Sequence, residues 1–215
     1  GHCYRFAPCF TKVRELSEKA GGPAVASFRE LVPAASLARQ WPKGSWIWNK
    51  RHGGPIPTMT VFAMDLARWL TGSEVSSVFS TIAWNEIPKL GTLGYAVSAI
   101  LKFRSGVVWN LEFNGSVPES LGPVMNLEVI GRGGEVIRAT GPESIELYGA
   151  HGRKEWHLKL DRPERWGHKG QDEYFITKVV ARGEKPIVSL RDAELAFRIS
   201  IALLQSAKRS RPVRP

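Results

Sequence analysis

The chain has 215 residues, of which 43% are hydrophobic and 23% are charged, a composition that can bury a sizeable core without cross-links. Its formal net charge is +10, but the basic residues are scattered apart from one run at 208–215. No apolar run is long enough for a bilayer, and neither a secretory signal nor a zinc-finger or RNA-binding motif is present. We therefore expect neither a membrane nor nucleic acid among its partners.

Cysteine usage points to a reducing compartment. The two cysteines, Cys3 and Cys9, are too few and too close together to form a disulfide framework in a chain of this length. We expect reduced thiols in a cytoplasmic protein, and the absence of metal-ligand spacing predicts no metal site.

The first third of the chain alternates between regular and irregular patterns. Apolar spacing predicts a helix over 11–20, closed by two glycines, and a strand over 24–31. Residues 32–54 read as a long irregular loop that contains Trp41, Trp46 and Trp48. Three indoles argue against a solvated linker, so the loop either lines a ligand or plugs the edge of the core.

A very apolar helix follows over 58–70. It has almost no polar face, so we expect it to be buried nearly all round. Asp65 and Arg68 are one turn apart within it and can pair with each other.

The middle of the chain predicts a sheet. Strands are expected over 75–84, 95–103, 107–114, 125–130, 135–139, 144–148 and 155–160. Apolar residues alternate with a polar set, which is typical of an antiparallel sheet with one covered face and one open face. The polar set comprises Ser98, Lys102, Asn110, Glu112, Asn114, Asn126 and Glu128.

Two helices, over 171–182 and 190–208, end the chain, and Ser189 with Asp192 fits a capping box for the second. Helices from both ends of the chain can cover the apolar face of the sheet. The predicted fold is α+β, a single two-layer domain over 1–215 with a largely antiparallel, open-faced β-sheet covered on one face by helices.

Four segments in this order resemble one known family. They are CYRFAPCFTKVREL, GGPIPTMTVFAMDLARWLTG, LKFRSGVVWNLEF and the final stretch from DEYFITKVV to SAKRSRPV. Together they resemble the C-terminal domain of the glucose–fructose oxidoreductase / inositol dehydrogenase (Gfo/Idh/MocA) family, which supplies the substrate pocket and an oligomer interface on the open sheet.

The resemblance also implies a missing half. In the family a preceding Rossmann domain binds NAD or NADP and carries a catalytic lysine, and no GxGxxG fingerprint occurs here. We expect this chain to be a fragment of a longer protein that binds NAD or NADP. The fragment alone is expected to bind no cofactor and to be inactive.

The family's middle motif, GG-x-x-x-D-x-x-x-H-x-x-D, is only partly kept. Its first Asp falls on Thr58, its His on Phe62 and its last Asp on Asp65. In active relatives the His takes the alcohol proton, which neither threonine nor phenylalanine can do near neutral pH. No residue is assigned as catalytic, and the candidate substitutes for the histidine are Lys50, His52, Tyr95 or the lysine of the missing domain.

Two functions stay open. The first is the substrate-binding and oligomerisation domain of an NAD(P)-dependent oxidoreductase acting on sugars or cyclitols. The second is a non-catalytic ligand-binding or regulatory member of the same family. The expected substrate-binding residues are Arg5, Trp46, Trp48, Lys50, Thr58, Phe62 and, unless it is only a surface turn residue, His168.

The polar sheet face predicts a homo-oligomer. Its side chains are too polar for a core and too regular for a random surface, so we expect it to pack against a second copy. Lys102 of one chain would then meet Glu112 or Glu128 of the other.

Overall fold

An eight-stranded sheet organises the chain, which a computed structural model describes over all residues 1–215. Side-chain alternation in the strands places apolar residues on one face throughout. The strands are β1 Pro23–Pro33, β2 Val75–Ile87, β3 Thr92–Phe103, β4 Val108–Val117, β5 Val124–Gly131, β6 Val136–Thr140, β7 Ser144–Gly149 and β8 Gly152–His157.

The strand order is β2-β3-β4-β1-β5-β6-β7-β8, so β1 is inserted between two runs of consecutive strands. β1 is parallel to β4 and antiparallel to β5, and every other neighbouring pair is antiparallel. This confirms the predicted largely antiparallel, open-faced sheet. The parallel pair has no signal in the sequence, because periodicity describes each strand and not its distant partner.

Helices cover one face of the sheet, as predicted. α3 packs on α6, α6 lies over β2, and α1 lies over β5, β6 and β7. The helices are α1 Pro8–Lys19, α2 Ala34–Gln40, α3 Ile56–Thr71, α4 Arg162–Arg165, α5 His168–Tyr174 and α6 Leu190–Arg209. None of them combines the length and hydrophobicity that a membrane span requires.

The covered face forms one continuous hydrophobic core. The largest side chains buried in it are Trp109, Tyr95, Phe10, Phe28 and Phe113. The last helix begins at the predicted capping box, in which the Asp192 amide donates to Ser189 Oγ at 3.1 Å and the Ser189 amide donates to Asp192 Oδ2 at 2.9 Å. Cys3 and Cys9 are buried free thiols, and burial raises their pKa values to about 11 and about 12.

One local expectation was wrong, and a second was right that a helix is present but not about where it begins or its hydrogen-bonding pattern. Residues 32–54 are not an irregular loop throughout, since they contain α2 and two short 3₁₀ turns at Trp46–Trp48 and Lys50–His52. These pieces are too short to produce a periodic apolar pattern. The helix expected over 171–182 begins earlier, as α5, and becomes a π-helix at Phe175–Val180. Apolar spacing does not distinguish the hydrogen-bonding pattern of a π-turn from that of an α-turn.

The uncovered face of the sheet, here called the open face, is polar and internally paired. Arg29 Nε lies 2.9 Å from Glu112 Oε2, and Arg138 Nη2 lies 2.8 Å from Glu128 Oε2. Two carboxylates expected to meet Lys102 of a second copy therefore already have partners within the chain. Phe79 and Ile100 are opposite each other on β2 and β3, and both are about 40% exposed.

Candidate functional site

The helix α3 is positioned by the glycine pair before it. Gly53 and Gly54 both have positive φ, at 91° and 59°, a region that side chains rarely adopt. A Cβ on Gly54 would also lie 2.8 Å from the Trp84 ring, and one on Gly53 would collide with Leu204. The glycines therefore allow the chain to approach β2 and α6 closely just before α3 begins.

α3 is buried on almost every side, as predicted from its composition. None of its residues is exposed, and Asp65 is fully buried. Thr58, Phe62 and Asp65 follow one another at intervals of about one turn and lie on one side of the helix. Thr58 and Phe62 are half-buried, so this side of α3 retains some contact with solvent at its N-terminal half.

Phe62 packs between two aromatic rings from the start of the chain. The ring centroids of Phe62 and Tyr4 are 5.7 Å apart, and the His2 ring meets Phe62 edge-on at 6.4 Å. His2 as a whole residue is 5% exposed, and its Nδ1 is buried without a hydrogen-bond partner. An imidazole therefore lies beside the position where the family motif has its histidine.

A large open cavity of about 1060 Å³ begins at these residues. It extends from α3 across to the segment between α5 and α6. Its lining is mainly apolar and aromatic, and comprises, among others, His2, Phe6, Val61, Phe62, Gln171, Tyr174, Phe175, Val188 and Leu190. A mainly apolar pocket with a few polar groups is the usual form of a small-molecule site.

Asp65 is held by Arg5 in a bidentate ion pair. Arg5 Nε donates to Asp65 Oδ2 at 2.7 Å, and Arg5 Nη2 donates to Asp65 Oδ1 at 2.6 Å. The remaining nitrogen, Nη1, donates to the Ile187 carbonyl at 3.4 Å. Arg5 was expected to bind substrate. In the structure its nitrogens instead donate to α3 and to the segment before α6, and these bonds hold the start of the chain against both.

The ion pair extends into a network. The predicted pairing of Asp65 with Arg68 is present at 3.7 Å, but Arg68 bonds more closely to Glu74, at 2.6 Å and 2.8 Å. Asp192 Oδ1 lies 3.2 Å from both Arg5 and Arg68. The network thus joins the first turn of the chain, α3 and α6.

A second polar cluster lies under Tyr4. The Tyr4 hydroxyl donates to Glu30 Oε1 at 3.1 Å, and burial raises the pKa of Glu30 to about 8. Tyr95 is fully buried with no partner for its hydroxyl, and burial together with the nearby Glu30 raises its pKa well above the ordinary value. Its ring crosses β4 where Gly115 has no side chain to obstruct it. Tyr95, one expected substitute for the motif histidine, is therefore a poor proton acceptor near neutral pH.

The other predicted residues lie apart from this cluster. Lys50 and His52 are exposed, with the Lys50 ammonium 5.6 Å from the centre of the Trp84 ring. Trp46 is 65% exposed, whereas Trp48 is half-buried with its indole nitrogen donating to the Trp41 carbonyl at 3.1 Å. His168 is exposed at the start of α5. None of these residues is a ring partner of Phe62.

Sequence reasoning missed three members of the site, His2, Tyr4 and Glu30. Glu30 had a usable signal, because it falls in register with Ala26 and Phe28 on the covered face of β1. A carboxyl group at an apolar strand position predicts a buried polar cluster. His2 had none, since it precedes the first periodic element.

A glycine turn between a strand and a helix could hold a dinucleotide phosphate, and a cluster of metal-ligating side chains could hold a metal. A strand leads directly into a helix only from β1 to α2, and Pro33 and Ala34 at that junction provide no glycine turn to cradle a pyrophosphate. No three His, Cys, Asp or Glu side chains are grouped so as to hold a metal ion. What the chain does offer is the cavity beside Phe62.

Comparison with known proteins identifies the fold. The family described as GFO/IDH/MocA C-terminal domain matches residues 31–137. This chain belongs to that family. The match covers α3 and the central strands, which confirms the resemblance found in the sequence.

Individual relatives extend the match to the whole chain. The myo-inositol 2-dehydrogenase of Thermotoga maritima is 29% identical over 98% of this chain and 62% of its own length. A structure described as a probable dehydrogenase from Thermotoga maritima has a TM-score of 0.75 and 27% identity, covering 100% of this chain and 64% of its own. The scyllo-inositol dehydrogenase of Lactobacillus casei, solved with NAD(H) and scyllo-inositol, has a TM-score of 0.69 and 18% identity, with coverage of 100% and 63%. The chain thus spans under two thirds of each of these relatives.

Replacing Arg5 by Met should destabilise the fold by about 3–5 kcal/mol, because it leaves the buried Asp65 carboxylate without its main partner. Removing both charges, in Arg5→Met with Asp65→Leu, should cost much less. Urea unfolding monitored by circular dichroism measures both. Arg198→Met, which removes an exposed pair with Glu194, should leave the unfolding midpoint unchanged. A midpoint for Arg5→Met equal to that of the wild type would contradict the role of the network.

Glu30→Gln should make stability less dependent on pH. Because the folded-state pKa is about 8 and the ordinary value is 4.5, the stabilisation from the protonated carboxyl is complete below the ordinary value and is lost as pH rises through about 8. The loss is roughly 1.4 kcal/mol per pKa unit. Urea unfolding between about pH 5 and about pH 9 should show the wild type weakening relative to Glu30→Gln. Glu112→Gln, on the open face, should retain the wild-type slope, and parallel curves for wild type and Glu30→Gln would refute the shift.

Proposed function

We propose that this chain is the substrate-binding and subunit-contact part of an NAD(P)-dependent oxidoreductase that acts on the hydroxyl groups of cyclitols or sugars. The longer protein of which this chain would form the C-terminal part is called the parent protein. The observation that carries the proposal is the 29% identity with a myo-inositol 2-dehydrogenase over nearly all of the chain. The cavity of about 1060 Å³ beside α3 is large enough for a cyclitol together with a second reactant.

The chain's own contribution is to the alcohol side of the reaction. NAD or NADP, held by residues outside this chain, would accept the hydride. Thr58 and Phe62 would border the bound alcohol, with the Thr58 hydroxyl as a hydrogen-bonding group and the Phe62 ring as an apolar wall. The ion pair between Arg5 and Asp65 would hold this side of the cavity in place without contacting the substrate.

A regulatory function is the second candidate. The family histidine and first aspartate are replaced by Phe62 and Thr58, and neither accepts a proton near neutral pH. A protein that binds a sugar or a nucleotide without turnover would keep the fold and the cavity while losing these groups. This candidate predicts ligand binding by the parent protein without formation of NADH or NADPH.

Turnover separates the two candidates. The parent protein, incubated with myo-inositol or scyllo-inositol and NAD⁺ or NADP⁺, should form reduced cofactor, measured by its absorbance. The chain of residues 1–215 alone should form none and should show no NAD⁺ or NADP⁺ binding by calorimetry, because it lacks a phosphate-binding turn. Binding of inositol to the parent without cofactor reduction would support the regulatory function. Micromolar cofactor binding by the chain alone would contradict the division of roles.

We also propose that two copies associate through the open face. The support is its regular polar pattern, interrupted by the exposed apolar pair Phe79 and Ile100 on neighbouring strands. Because Glu112 and Glu128 pair within the chain, the contact would rest on these apolar side chains and on Lys102 rather than on a new ion pair with either carboxylate. A two-fold axis would bring the same patch of each copy together.

Ile100→Glu should convert the dimer to a monomer, since it places a charge in the centre of the apolar pair. Sedimentation velocity of residues 1–215 at about 10 μM measures the change in mass, which depends on protomer concentration. The matched control is Lys208→Glu at the exposed end of α6, which should remain dimeric. A wild-type chain that sediments as a monomer would refute the proposed contact.

A further inference from the structure

Oxidation of an alcohol needs a proton acceptor, and the groups first considered for this role are poorly placed or have the wrong chemistry. Phe62 cannot accept a proton, and the Thr58 hydroxyl is too weak a base. Asp65 is fully buried and bonded at both oxygens to Arg5. Lys50 and His52 are exposed and form no ring contact or hydrogen bond with the residues around Phe62.

His2 has the position that these groups lack. Its ring touches the Phe62 ring edge-on at 6.4 Å, and both residues line the same cavity. The residue is 5% exposed, and its buried Nδ1 has no hydrogen-bond partner. Because Nδ1 has no accessible surface, it cannot itself meet a ligand, and Nε2, which is neither hydrogen-bonded nor among the fully buried unpartnered atoms, is the ring nitrogen that a ligand in the cavity would reach.

The surroundings of His2 keep its imidazole in the basic form. Burial lowers its pKa below the ordinary value, so the ring is neutral near pH 7 and able to accept a proton. The charged groups that face it are Asp65 and Asp192, which favour protonation, and Arg5 and the amino group of Gly1, which oppose it. The two carboxylates would stabilise an imidazolium once it forms.

We propose that His2 is the proton acceptor for the substrate hydroxyl, taking in space the place of the histidine that α3 lacks at position 62. This rests on the proposed oxidoreductase function. In the step, the alcohol O–H bond breaks and an N–H bond forms on the His2 imidazole. The carbinol carbon would give up its hydrogen with the electron pair as its C–O bond becomes a carbonyl, and NAD or NADP, held by residues outside this chain, would supply the acceptor for that hydride. The imidazolium then returns its proton to solvent.

The test is a rescue experiment in the parent protein. His2→Gln should lower kcat for inositol oxidation about 100-fold or more with little change in KM, the loss typical of a removed general base. Adding Phe62→His in the His2→Gln background should restore much of kcat, because it returns an imidazole to the same end of the cavity. His151→Gln, in an exposed turn far from α3 in the chain, is the matched control and should retain wild-type kcat.

The outcomes separate this inference from the function on which it rests. A wild type that turns over inositol, with His2→Gln within threefold of it, overturns the role of His2 alone. A wild type with no turnover on any cyclitol or sugar tested overturns the oxidoreductase function and this inference with it. If His2→Gln fails to fold, proton NMR of the wild type decides. The His2 imidazole should titrate below its ordinary pKa and shift on saturation with myo-inositol, and an unshifted, solvent-like imidazole overturns the inference.

Discussion

The buried pair between Arg5 and Asp65 determines how the first turn of the chain meets the helix layer. Asp65 is enclosed in the most apolar helix of the molecule, where an unpaired carboxylate would be very costly. Its partner comes from a segment sixty positions earlier, so the pair fixes the start of the chain against α3. This attachment holds in place the segment that brings His2 and Phe6 to the lining of the cavity.

Much of the fold could be predicted from the sequence, because alternation and apolar spacing act locally. The strands, the open face, the capping box of α6 and the burial of α3 all follow from patterns within a few residues. The insertion of β1 between β4 and β5 could not be predicted in this way, because it depends on partners far along the chain. A related limit explains why α2 was missed, since a helix of two turns before a tryptophan-rich segment is too short to produce a periodic pattern.

The candidate site was also predicted only where its residues lie close together in the sequence. Thr58 and Phe62 were found because they occupy motif positions on one helix. Arg5 was found for a different reason, as a cation at the start of the chain, and its carboxylate partner turned out to be Asp65 rather than a ligand. His2 and Glu30 lie on other elements and come together with α3 only in three dimensions. A motif read along one helix therefore describes the helix well and the chemistry around it poorly.

The central position of β1 has a consequence for the order in which the molecule assembles. Strands β2, β3 and β4 can form one meander and β5 to β8 another, each from neighbours in the chain. Only β1, made before either, joins the two, through Arg29 opposite Glu112 on one side and Asn126 on the other. Such long-range pairing is slow because loop closure precedes any gain from contacts. During synthesis β1 therefore has both edges unpaired until most of the chain exists, and the open sheet is completed only when this early strand is enclosed between two later ones.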